Sequence, residues 1–239
     1  MIQRSNPFHQ HLAILAPCDS GTLLFWALAP ATITTVCFDW DGTLCDSGPA
    51  SLRAFRKSLA EFGVTFTDAE YKAVYSPRWY RMYEALKLPN PCWRQADQRW
   101  LHHYGREEPD LISGAPAVLE SLRRRGIRLG IVTNGTRKRV DRELERLRLQ
   151  TTFDAVICCE DVIEKKPHPE GLDKALTLLN CPPAAACYVG DTPEDVHMGK
   201  NAGVFSVGIL SQYVDDRRLR ESEPDVLLNA IEELPTVFG

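Results

Sequence analysis

The 239-residue chain has no long apolar run, no two cysteines at C-x-x-C spacing and no surplus of positive charge. Each absence removes a class of protein. Residues 12–30 hold the only targeting candidate, but Pro17, Asp19 and Gly21 interrupt it. What remains is marginal for a signal peptide and far short of the roughly 20 apolar residues that span a bilayer. Lys+Arg 28 against Asp+Glu 32 gives a net charge of -4, so there is no basic footprint for nucleic acid. The arginines at 123–125 and within 137–148 are interleaved with acids or confined to one turn, which reads as solvated helix surface. The eight cysteines read as free, mostly buried thiols of a reducing cytoplasm rather than as disulfides or zinc ligands. Hydrophobic residues at 44% and charged residues at 25% suit a globular chain long enough to bury a substantial core.

Periodicity supplies the architecture. Short apolar runs at 33–38, 128–132, 154–158, 186–190 and 204–208 are rich in β-branched or aromatic residues and end in turn residues, as buried strands do. Helical patterns lie between them: 115–125, 137–149 with Val140, Leu144 and Leu147 on one face, 168–180, and 193–202 closed by Gly203. Strand and helix in alternation predict an α/β fold, a Rossmann-like parallel sheet with helices on both faces and ligands at the carboxyl ends of its strands. Residues 48–113 break the alternation with aromatic-rich helical patterns. They are expected to form an α-helical cap domain inserted after the first core strand, with Pro49 and Gly114-Ala115-Pro116 as hinges. The core domain is then 31–47 and 114–239, and residues 1–30 are an N-terminal extension of no assigned role.

The stretch VCFDWDGTLCDSG, residues 36–48, crowds Asp39, Asp41 and Asp46 directly behind a core strand. Residues two apart on extended backbone point the same way, so Asp39 and Asp41 are expected to face one pocket. Two such acids call for a divalent cation or an acid-base role. Mg²⁺ suits them, since it takes hard oxygen ligands, one or two of them carboxylates. Gly42 and Thr43 are expected to supply a tight turn and exposed donors. Asp46 is expected to accept backbone N–H groups where the cap's first helix begins. Three further groups follow predicted strands: Thr133-Asn134, Lys166 before Pro167, and Asp191 with Asp195 in VGDTPED. Taken singly these are ordinary turn, charge-pair and N-cap residues. Their joint order makes a site.

In that order the motifs resemble the haloacid dehalogenase superfamily of phosphohydrolases: D-x-D-G-T at Asp39–Thr43, a strand ending in Thr133, Lys166-Pro167, and G-D-x-x-x-D from Gly190 to Asp195. The resemblance covers about residues 33–212, and the helical cap is similar to that of the phosphoglycolate phosphatase-like branch. It implies that Asp39 is a nucleophile forming an aspartyl-phosphate and that Asp41 is the general acid and base. It implies Mg²⁺ held by Asp39, the Asp41 backbone carbonyl and Asp191. Lys166 then adds positive charge, Thr133 and Asn134 hold phosphoryl oxygens, and Asp195 orients Lys166 or a metal-bound water. Ser47 and, in the cap, Arg78, Trp79, Arg81 and Trp93 are candidates for substrate contact.

The activity so implied is hydrolysis of a small-molecule phosphate ester, with neither nucleic acid nor membrane as partner; the sequence fixes no oligomeric state. Asp41 argues against dehalogenation, because dehalogenases of the superfamily lack that second acid. A β-phosphoglucomutase-like mutase is the runner-up, but it carries a cap-side His where this chain has Ser51. A pyrophosphatase or nucleotidase of the same superfamily is open as well. A catalytically inert binding protein is expected to have lost one of the four motif residues, and none is lost.

Overall fold

The structure is a computed structural model that describes residues 32–76, 79–211 and 214–238. The N-terminal extension and Arg78 lie outside the described residues. Six strands, β1 (Thr35–Phe38), β2 (Arg128–Val132), β3 (Ala155–Ile157), β4 (Ala186–Gly190), β5 (Phe205–Ile209) and β6 (Val226–Leu228), form one sheet in the order β3-β2-β1-β4-β5-β6. Every pairing is parallel. β1 is central, with Phe38 level with Ile131 on one side and Val189 on the other. The chain therefore leaves β1 at Asp39 in the middle of the sheet's carboxyl edge. β6 was not expected from the sequence, whereas β3, equally short, was read from the apolar run 154–158.

Four helices follow β1: α1 (Gly48–Ala60), α2 (Asp68–Val74), α3 (Trp79–Ala85) and α4 (Trp93–Tyr104). Then come α5 (Ala115–Arg124), α6 (Arg137–Arg146), α7 (Glu170–Leu178), α8 (Pro193–Ala202), α9 (Asp216–Glu221) and α10 (Leu234–Val237). The pleat of β1 sorts its side chains between two layers. Val36 and Phe38 join Val118 and Leu122 of α5 and Val140 and Leu144 of α6, while Cys37 joins Leu172 and Leu176 of α7 and Met198 of α8. Both faces of the sheet are thus covered, as an all-parallel sheet requires. The seven described cysteines are all free, and five are buried.

Helices α1 to α4 have a core of their own, built on Phe55, Leu59, Tyr71, Tyr83, Trp100 and Tyr104. The two strands of chain joining them to the sheet run side by side, with the Asp46 amide donating to the Asp110 carbonyl and the Ile112 amide to that of Leu44. Further ties hold the insertion against the sheet domain. Arg142 donates to the Gly105 carbonyl at 2.7 Å, and Arg218 to that of Tyr75 at 2.8 Å.

One local expectation is corrected. Ser47, not Asp46, stands before the first turn of α1, and its side chain makes no cap hydrogen bond; Pro49 at the start of the helix already removes one donor that a cap would satisfy. At the other expected hinge, Gly114 has φ 79° at the N-terminus of α5, and a Cβ there would collide with the Glu232 side chain. Proline, locked near φ −65°, does not fit that backbone. No helix among the described residues is long and apolar enough to cross a membrane.

Candidate active site

The site begins where β1 ends. The Asp39 amide extends the sheet ladder by donating to the Val189 carbonyl at 2.8 Å, and the chain then turns sharply, with the Leu44 and Cys45 amides both donating to the Trp40 carbonyl. Gly42 takes φ 79° in this turn, a conformation costly for any residue with a Cβ. A Cβ would also collide with the Asp191 carboxylate arriving from the end of β4. Glycine at 42 therefore lets two strand ends converge.

Three carboxylates meet there. Asp39, Asp191 and Asp195 are all buried, and one oxygen of each lies within 4.8 Å of the others. Lys166, 4% exposed and followed by a cis bond to Pro167, reaches between two of them. Its ammonium donates to Asp39 Oδ1 at 2.6 Å and to Asp195 Oδ1 at 2.7 Å. Asp195 is otherwise saturated. It accepts from the Tyr188 hydroxyl at 3.2 Å, and its second oxygen forms a capping box with Thr192 at the start of α8. Asp191 Oδ1, by contrast, is buried with no partner.

This array is short of positive charge. Burial pushes the Asp39 carboxyl up to about 7, the Lys166 charge pulling it down and Asp195 and Asp41 pushing it further up. Asp191 rises well above the carboxylate range, first through burial and then through the charges of Asp195 and Asp39. Lys166 rises as well: burial opposes its charge, but Asp195 and Asp39 outweigh that and raise it. With all three acids ionised, one ammonium would leave two negative charges unbalanced, which is what raises Asp39 and Asp191, and one acid has an orphaned oxygen. A hard divalent cation fits that donor set.

Asp41 lies apart from the three, as its partner explains. Arg139 of α6 grips both its oxygens, Nη1 on Oδ1 at 2.8 Å and Nη2 on Oδ2. Burial alone would raise Asp41, but the Arg139 charge and hydrogen bonds, with one from Ser47, bring it below the usual range. Arg139 also donates to Glu143 at 3.1 Å, and Glu143, 1% exposed, accepts from the Trp40 indole at 2.7 Å. On the other side the guanidinium lies 5.2 Å from the ring centroid of Tyr104, at the end of α4. Asp41 is thus tied through one arginine to both the sheet domain and the helical insertion.

The expected site residues divide clearly. Asp39, Asp41, Gly42, Ser47, Thr133, Asn134, Lys166, Asp191 and Asp195 line one cavity of about 100 Å³ at the carboxyl edge of the sheet. Thr133 is buried, and its hydroxyl accepts the Gly135 amide at 3.0 Å. Thr43 is a correction: its side chain points inward, fully buried and off the cavity wall, because the turn at Gly42 rotates it away from the acids. Trp79 lines the cavity, whereas Trp93 packs within the insertion, donating to the Leu88 carbonyl, and Arg81 is exposed and off the wall. Sequence reasoning missed Arg139, Tyr188 and the cavity-lining Phe55, Tyr71, Tyr75 and Trp100. One signal for the Arg139 network was readable: Glu143 sits on the same helical face as Val140, Leu144 and Leu147, where a buried acid needs a cationic partner.

A family described as haloacid dehalogenase-like hydrolase matches residues 36–209. A pyrophosphatase, PpaX, of Oceanobacillus iheyensis is 28% identical over 211 residues, spanning 87% of this chain and 98% of its own. Among solved structures, a haloacid dehalogenase-like family hydrolase from Streptococcus pneumoniae superposes with TM-score 0.76 at 24% identity, covering 87% of this chain and 99% of its own. A predicted phosphoglycolate phosphatase from Haemophilus somnus gives TM-score 0.77 at 20% identity, over 87% of this chain and 98% of its own. At those identities the two structures speak for the fold.

Proposed function

The chain belongs to the haloacid dehalogenase-like hydrolases, and from that premise we propose that it is a Mg²⁺-dependent phosphatase. Its substrate is a small phosphate monoester, cleaved through an aspartyl-phosphate. The observation that carries this reading is the buried array in which Lys166 joins Asp39 to Asp195 while Asp191 Oδ1 has no partner. Asp39 and Asp191, with the Asp41 carbonyl, would hold the metal. Bound there, Mg²⁺ screens the charge of the approaching phosphoryl group and polarises it.

The chain's own groups supply the rest. Lys166 holds Asp39 Oδ1, so the carboxylate is oriented before substrate arrives and its other oxygen is directed at phosphorus. That oxygen forms a bond to phosphorus as the bond to the leaving oxygen breaks. Asp41 is ionised against Arg139 in this state, so it acts as donor once that pair opens and the carboxyl takes up a proton; it gives this proton to the leaving oxygen, then takes one from the water that attacks the phosphoryl group and frees Asp39. Thr133, Asn134 and Lys166, which share the cavity with these acids, hold the phosphoryl oxygens as charge redistributes. Asp195 keeps Lys166 in place. The cap is the helical segment 48–113, which supplies the aromatic wall over the acids.

A second reading, hydrolysis of pyrophosphate, is favoured by the name of the Oceanobacillus relative. The mutase reading is weaker, since Ser51 offers the cavity a hydroxyl, 3.5 Å from that of Tyr71, where a mutase has an imidazole. The test is phosphate release from small esters with Mg²⁺. Turnover that disappears in EDTA and in Asp39→Asn supports the proposal, and full turnover in EDTA refutes the metal.

A further inference from the structure

We propose that the ester taken by this site has a small, uncharged and mostly apolar leaving group, selected by an aromatic wall centred on Trp79. The inference rests on the phosphatase reading and deepens it.

The wall facing the acids is built from Phe55, Tyr71, Tyr75, Trp79, Met82 and Trp100. These rings are fixed by their neighbours: Trp79 and Trp100 lie 5.5 Å apart, Phe55 stacks on Tyr83 at 5.5 Å, and Trp100 stacks on Tyr104 at 4.7 Å. Among the described residues the polarity on that side comes from neutral groups, the hydroxyls of Ser51, Ser76 and the two tyrosines and the indoles of Trp79 and Trp100. Such a surface favours apolar contact and offers a few neutral hydrogen bonds.

Charge argues in the same direction. Among the described residues lining the cavity the cations are Lys166 and Arg139. Lys166 is engaged by Asp39 and Asp195, and Arg139 by Asp41 and, behind it, Glu143. With Asp191 that makes five carboxylates against two cations, so a bound divalent metal still leaves the surroundings negative. The phosphoryl group adds its own charge. Among the described residues the wall offers a second anionic group on the substrate neutral donors and no unengaged cation, so burying that charge against the rings is costly. The cavity of about 100 Å³ also restricts size.

Isobutyl phosphate and 2-phosphoglycolate test this, because their leaving groups share one branched skeleton and differ in charge. Steady-state kcat/KM with Mg²⁺ is expected to favour isobutyl phosphate by roughly 10-fold or more, with inorganic pyrophosphate poorer still. Trp79→Ala should bring the ratio of isobutyl to methyl phosphate toward one. Ser51→Lys, which adds a cation to the wall, should shift preference toward phosphoglycolate and serves if the Trp79 variant does not fold. Preference for phosphoglycolate or pyrophosphate in the parent protein, particularly one lost in Arg78→Ala, overturns the proposal while leaving the phosphatase reading standing. No turnover of any of these compounds removes both.

Discussion

Replacing Arg139 with Met removes a buried cation whose partners cannot follow it into water. The Arg139 side chain is 10% exposed and that of Glu143 is 1%. After the change Glu143 keeps the Trp40 indole as donor and, as its remaining cation, the half-exposed Arg142 at 3.7 Å, so a buried charge between α6 and the turn after β1 loses its buried partner. Breaking one side of a buried ion pair costs about 3 to 5 kcal/mol. For a chain of this size that corresponds to a melting temperature lower by roughly 6 to 20 °C. Thermal unfolding followed by circular dichroism reads it directly. The companion variant Arg139→Met with Glu143→Gln removes the more deeply buried of the two charges that lose Arg139 and keeps a carbonyl for Trp40, so it should recover part of the loss, while Asp41, 28% exposed, still lacks its cation. A cost below about 1 kcal/mol, the range of an exposed surface pair, or no recovery in the double variant, would refute the view that this network is a buried charge balance.

The metal-free protein should be more stable near pH 5.5 than near pH 7.5. Asp39 titrates at about 7 in the fold against an ordinary 3.8, so the folded chain binds that proton more tightly, and the stabilisation is lost as pH rises through about 7. Mg²⁺ should raise the melting temperature more at the higher pH, because it replaces the proton; an equal rise at both would contradict this. Gly42→Ala, which forces a Cβ toward Asp191, should weaken Mg²⁺ binding roughly 10-fold, as measured by calorimetry, with unchanged affinity counting against the geometry. Asp41→Asn should slow alkyl esters by roughly 10² to 10⁴ and release aryl leaving groups in a burst. Equal impairment of both ester types would show that Asp41 is not the proton donor.

Much of this was legible in the residues because the relevant signals are local. β1 announces itself as an apolar run, and Asp39 and Asp41 follow it at once, so the carboxyl edge of the sheet was placed correctly. Lys166, Thr133 and Asp191 each sit just beyond a strand or in the loop that follows. Thr43 was misread because a turn containing Gly42 at φ 79° rotates the next side chain inward, and a motif string carries no dihedral angles. Asp46 was misread because Ser47 took the position before α1. Arg139 escaped for a different reason. Arg139 and Glu143 four residues apart on a helix look like a solvated pair, and what buries them, Trp40 and Tyr104, comes from about 100 and 35 residues away in the chain. The aromatic wall was equally hidden, since rings at helical spacing do not say which of them face the insertion's own core and which face the acids.

Trapping the phosphoenzyme tests most directly that Asp39 is the nucleophile. Asp41→Asn should accumulate the intermediate during turnover of an aryl phosphate, since hydrolysis of the acyl phosphate then lacks its base. Acid quenching, borohydride reduction and peptide mass spectrometry read the site, because reduction converts a phosphorylated aspartate to homoserine. Homoserine at position 39 alone, absent when Asp39→Asn is added, is the predicted result. Modification at Asp191 or Asp195, or a burst with no modified aspartate at all, would contradict it.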